Sequence, residues 1–143
     1  MNQSTWVVVA DAHGALLFTF ADKAEPWKLT EHLTESGLGA DETADFAKKA
    51  SEHKGALHGH GTSTEKETKE RHLAHAIAHA LERGLVDGSL GALALVAPPK
   101  LLGELRENLS RGLQSKVVAE LHKDLMHLTA EQIAEKLRPE LPL

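Results

Sequence analysis

No cysteine occurs in the 143 residues of this chain. That absence excludes disulfides, thiolate metal sites and a cysteine nucleophile. No apolar run approaches the roughly 20 residues that a bilayer-spanning helix needs, so no membrane segment is expected. The opening MNQSTWVVVADAHG has no basic stretch, long apolar stretch and small-residue cleavage site in succession, and the expected location is cytoplasmic. Charge of positive sign is scarce: Lys and Arg number 16 against 21 Asp and Glu, for a net charge of −5, and no basic tail or block is present. Such a balance is a poor footprint for a protein whose main task is holding bare phosphate backbone, so any nucleic-acid contact is expected to be local. HExxH, the glycines of a P-loop and a nucleophile elbow around any serine are likewise missing.

What is present centres on Gly91 to Arg106, GALALVAPPKLLGELR. Leu93 to Ala97 is a continuous apolar run, as expected of a strand buried on both faces. Pro98 and Pro99 stop it, and Pro99 suits the first position of a helix because its missing N–H is not needed there. Leu101, Leu102, Leu105, Leu109 and Leu113 then fall on one side of a helix that Gly112 is expected to end. Gly103, inside that helix, has two readings: close backbone packing, or close approach of a partner.

Thr5 to Ala10 is a second doubly apolar run, and Asp11 to Gly14 supplies turn chemistry before Leu16, Phe18 and Phe20 alternate with other residues. Trp27, Leu29 and Leu33 alternate with Lys28, Thr30 and His32, predicting a third strand with one solvated face. Residues 35–64 carry five glycines and few large apolar side chains. A connection of this length is expected to be functional or mobile, with a short helix over Asp41 to Lys54 held on Phe46. Thr64-x-x-Glu67 reads as a capping box for a helix with Leu73, Ile77, Leu81 and Leu85 inward and Gly84 near its end. Lys116 to Leu121 reads as a strand, though its pattern also suits a helix. Thr129-x-x-Gln132 caps a last helix whose inner face is Ile133, Ala134 and Leu137 and which Pro139 ends.

The order β-β-β, insertion, α-β-α-β-α, closed with right-handed crossovers, gives a five-stranded mixed sheet of order 3-2-1-4-5 within one α/β domain spanning residues 1–143. That topology is ribonuclease-H-like, and it sets the two doubly apolar strands side by side in parallel.

Leu95 to Arg106, LVAPPKLLGELR, resembles the signature of the bacterial host-attachment protein family, with further likeness at Trp6 to Asp11 and at Lys123-Asp124-Leu125. That family is similar to the middle domain of archaeal and eukaryotic peptide-chain release factors, in which a long insertion carries a Gly-Gly-Gln tip that promotes hydrolysis of peptidyl-tRNA. The corresponding region here reads Gly55-Ala56-Leu57-His58-Gly59-His60-Gly61, and glutamine occurs only at positions 3, 114 and 132. The resemblance implies a translation-related ancestry without the motif for termination.

Candidate contacts follow. Lys48, Lys49, Lys54, Gly55, His58, Gly59, His60 and Gly61 form a partner-binding loop, and Lys100 with Arg106 offers an anion contact at a helix start. Six of the ten histidines lie between positions 53 and 79. His75 and His79, one helical turn apart, are the candidate metal pair, with His58 or His60 as a third ligand; a solvated polar face is the plainer reading. Asp11 ends the first strand, but Ala97-Pro98-Pro99 gives the fourth no acid and Asp124 follows the fifth, so a two-metal nuclease lacks its carboxylates. The reading is a non-enzymatic module that contacts the ribosome or tRNA and needs no cofactor. A hydrolase of an RNA-linked ester and a protein-binding adaptor in cell attachment are the alternatives.

Overall fold

The computed structural model describes residues 3–22, 25–34 and 65–141. Its elements in chain order are β1 (Ser4–Asp11), β2 (Gly14–Phe20), β3 (Lys28–Thr34), α1 (Glu65–Val86), β4 (Leu90–Val96), α2 (Pro99–Asn108), α3 (Arg111–Gln114), β5 (Val117–Leu121) and α4 (Ala130–Leu137), followed by a 310 turn at Arg138–Glu140. The strands form one mixed sheet of order β3-β2-β1-β4-β5. β1 runs antiparallel to β2 and parallel to β4, with Val8 opposite both Leu17 and Leu95. The two doubly apolar runs are therefore central neighbours, as expected, and Val7 to Ala10 and Leu93 to Ala97 are fully buried.

Alternation along these strands divides the core between two faces. Val8, Leu17, Leu93 and Leu95 meet Leu73, Ile77 and Leu81 of α1, Leu101, Leu102 and Leu105 of α2, and Leu113 of α3. Val7, Val9, Phe18, Phe20, Ala94 and Val96 meet Ile133 and Leu137 of α4, with Leu125 and Leu141 beside them. Each fully buried leucine or valine contributes about 1.5–3 kcal/mol relative to exposure. The α4 start is fixed by the expected capping box: the Thr129 hydroxyl accepts from the Gln132 amide at 3.2 Å, and the Gln132 side-chain oxygen accepts from the Thr129 amide at 3.0 Å.

Three local readings are corrected. The helix after Pro99 does not run to Gly112; it stops at Asn108, where Leu109 turns extended, with φ −79° and ψ 135°. Ser110 then caps α3, its hydroxyl accepting from the Leu113 amide, so Leu113 reaches the same core from a separate helix. Gly112 lies inside that helix. Gly84 lies near the end of α1, as expected; the helix continues to Val86 and is followed by Gly88 with φ 84°, a conformation that favours glycine. β4 begins three residues earlier than the apolar run, at Leu90.

The third correction concerns β3, which does not keep one inner face. A register shift between Leu17 and Phe18 interrupts its pairing with β2. Such an irregularity reverses the side-chain alternation, so Trp27 joins the face covered by α4 while Leu33 joins the face covered by α1. Leu29, between them, is 46% exposed. Trp27 precedes the strand and stacks on Phe20, with ring centroids 5.1 Å apart and planes 6° from parallel.

Candidate functional site

Strand direction decides which loops meet. β4 and β5 are parallel to β1, and β3, antiparallel to β2, points the same way. Asp11, Thr34, Val96 and Leu121 consequently end at one rim of the sheet. Crossing back to the start of β4, α1 begins at that rim, and its last turns pass the start of β1 at the opposite one, where the Ser4 amide donates to the Ser89 carbonyl at 2.7 Å. Residues 35–64 thus leave and rejoin the fold on the rim where the β4–α2 turn also lies. That turn is held by the Ala97 amide donating to the Leu121 carbonyl at 3.1 Å and the Leu102 amide donating to the Pro98 carbonyl at 3.0 Å.

Lys48, Lys49, Lys54, Gly55, His58, Gly59, His60 and Gly61 lie outside the described residues, as do the Asp41 to Lys54 helix and the Thr64-x-x-Glu67 cap. On the rim, Asp11 acts as a turn former: its Oδ1 accepts from the amides of His13 at 2.8 Å and Gly14 at 3.1 Å. Gly14 is needed there, since an added Cβ would stand 2.8 Å from the Leu33 carbonyl oxygen. Asp124 is exposed on the segment after β5. Among the described residues no three His, Asp or Glu side chains are gathered as a metal site.

His75 and His79 are exposed on α1, one turn apart as the spacing predicts. His79 also lines a surface hollow of about 250 Å³ with Glu82, Arg83 and Val86. The groups beside it are engaged: Glu82 accepts from the Ser110 hydroxyl at 2.8 Å, and Arg83 pairs with Glu31 at 3.1 Å. A second hollow, of about 280 Å³, is lined by Leu128, Gln132, Glu135 and Lys136.

Lys100 is exposed in the first turn of α2. Arg106 is six positions on, about 120° away around the helix, so the two cations leave α2 in different directions. The Arg106 Nε donates to Glu120 Oε1 of β5 at 2.7 Å, and its Nη2 donates to the same oxygen. Those hydrogen bonds first, and the carboxylate charge second, raise the guanidinium further above its ordinary high value. The Arg106 side chain of this pair is more than half exposed, so water screens it and it adds little to stability. Between them Gly103 has no atom of another described element within 4 Å of the place a Cβ would take. The packing reading of this glycine is thereby corrected among the described residues, which leave open space where a side chain would fit.

Glu70 was not singled out by its sequence setting. It is 4% exposed, and its Oε1 has no hydrogen-bond partner among the described residues. The available signal was its place three residues before Leu73 and seven before Ile77, on the apolar stripe of α1, where a carboxylate is costly to bury unpaired.

These features define an α/β module with a mixed 3-2-1-4-5 sheet, an interrupted pair of helices after β4, and a long insertion on the rim where four strands end. The chain belongs to the family described as "Protein required for attachment to host cells", whose model matches residues 6–137. No curated protein matches it.

Proposed function

We propose that this protein is a non-enzymatic cytoplasmic module that engages the ribosome or tRNA through residues 35–64. The observation that supports this reading is that Thr34 and Glu65, which flank that segment, lie at one rim of the sheet, and that the segment is the longest connection between elements of the fold. In the release-factor middle domains that the chain resembles, the insertion is likewise the part that reaches peptidyl-tRNA. Lys48, Lys49 and Lys54 supply local positive charge within a chain of net charge −5, and a contact of few lysines is weak and strongly salt-dependent.

Co-sedimentation with ribosomes at about 50 and about 200 mM salt tests this reading. Binding is expected at the lower salt, reduced at the higher, and lost when Lys48, Lys49 and Lys54 are all changed to Glu, while His58→Ala and His60→Ala leave it unchanged. Absence of binding at both salts would overturn the proposal. Release of peptide from programmed ribosomes that disappears with His60→Ala would replace it with the hydrolase.

A further inference from the structure

His75, His79 and Arg83 stand at four-residue spacing on α1, which sets them about 6 Å apart along the axis with a drift of about 40° at each step. All three are exposed, while Leu73, Ile77 and Leu81 turn to the core. The row therefore presents two imidazoles and a guanidinium, three flat groups, on one side of the helix. At its C-terminal end lies the hollow of about 250 Å³ lined by His79, Glu82, Arg83 and Val86. Two of these walls are set by other elements: Glu82 accepts from the hydroxyl of Ser110, the cap of α3, at 2.8 Å, and the Arg83 Nη2 donates to Glu31 Oε1 of β3 at 3.1 Å. That bond engages the edge of the guanidinium and leaves its planar faces, because all guanidinium donors lie in the plane. Val86 completes the hollow with an apolar side chain that is 79% exposed.

We infer that this hollow, with His75 beside it, is a stacking site for the bases of single-stranded RNA, and that it lies outside residues 35–64. In single-strand recognition, bases stack on histidine rings and on guanidinium planes, and every base has a π face to offer. Phe18 and Phe20 are buried, Trp6 and Trp27 pack against the core, and the chain has no tyrosine. Among the described residues the exposed rings are therefore histidines. The hollow is smaller than the roughly 300 Å³ at which sites for whole small molecules begin, which suits one base and not a complete cofactor. Glu82 gives it a preference. A carboxylate has more acceptor sites than one hydroxyl uses, so it can also accept from the exocyclic amine of cytosine, adenine or guanine, which uracil lacks. An acidic peptide fits less well, because it meets Glu82 and Glu31 with like charge and brings no ring to the row.

Fluorescence anisotropy at about 50 mM salt with labelled oligocytidylate, oligouridylate and an abasic strand of equal length, about 12 nucleotides, tests this. Oligocytidylate is expected to bind at least about threefold more tightly than oligouridylate, and the abasic strand most weakly. His75→Ala/His79→Ala should weaken oligocytidylate about tenfold and leave the abasic strand unchanged, whereas His75→Tyr/His79→Tyr, which keeps the rings, should stay within about threefold of the unsubstituted protein. Oligocytidylate binding that is equal in the double-alanine variant would overturn the inference, as would an abasic strand that binds as tightly, or no binding of any strand. Displacement of oligocytidylate by oligoglutamate as readily as by unlabelled RNA would assign the row to an acidic partner and overturn it too. The change of Lys48, Lys49 and Lys54 to Glu separates this site from residues 35–64: RNA binding lost there but kept in the double-alanine variant overturns the stacking site alone, and the reverse pattern upholds it without the lysines.

Discussion

The indole of Trp6 fills the space that a side chain on Gly84 would need: a Cβ there would stand 2.5 Å from both Cζ2 and Cη2 of the ring. Trp6 lies near the start of β1 and Gly84 in the last turns of α1, so the contact ties the central strand to the longest described helix. Glycine weakens a helix by about 1 kcal/mol relative to alanine, and here close approach accounts for it. Gly84→Ala is expected to lower stability by about 1–3 kcal/mol net, as overpacking of a filled core does. A lower urea midpoint together with altered Trp6 emission checks it; an unchanged midpoint would mean that α1 moves aside freely.

The opposite sign is expected at Gly103, which also lies within a helix but has no atom of another described element near its Cβ position. Gly103→Ala adds helix propensity without a clash among the described residues, and urea unfolding should show a gain of about 0.5–1 kcal/mol. A loss of stability there would reveal an intrachain contact at that position.

Comparison of these two glycines shows where sequence reading reached and where it stopped. Pattern placed β1 and β4 together because apolar runs such as Val7 to Ala10 and Leu93 to Ala97 require cover on both faces. It found the inward leucines of α1 and α2 because helical period is a local property. It missed the change of face between Trp27 and Leu33, since the register shift opposite Phe18 belongs to the pairing of two strands and is not visible in either alone. Ser110 was legible as a capping residue only once Leu109 was known to be extended. For the candidate site, Lys100, Arg106, His75 and His79 lie on the helices expected, but the partner of Arg106 is Glu120 on another element, a tertiary fact. Burial of Glu70 is of the same kind.

A small acid-dependent contribution is expected from Asp87, in the turn between α1 and β4. Its carboxylate is held below the ordinary 3.8 by hydrogen bonding from the Ser89 hydroxyl and then from the Ser89 amide, the latter at 2.9 Å. That hydroxyl also lies 3.4 Å from the Gly84 carbonyl; its single proton favours the charged acceptor. Because the folded value is depressed, the contribution is present above 3.8 and is lost as pH falls through the folded value. Ser89→Ala removes the larger cause and leaves the amide bond, so a carboxyl NMR titration should show Asp87 moving upward toward its ordinary value. An unmoved titration would mean that the amide alone sets it.

The histidine pair gives the last prediction. His75 and His79 are exposed and separated by one turn of α1, which brings two imidazoles to the same side of the helix. Two nitrogens are half of the tetrahedral set that a closed zinc site requires, and water must supply the remainder unless further ligands arrive. Glu82, three residues beyond His79, is already hydrogen-bonded to Ser110, and Arg83 on its other side brings a positive charge that opposes a cation. Tag-free protein dialysed against metal-free buffer is therefore expected to retain far less than one zinc per chain by elemental analysis. Retention of one zinc per chain that disappears with His75→Ala would show that His58, His60 or another side chain completes the site, and would move these histidines from a solvated face to a metal-binding role.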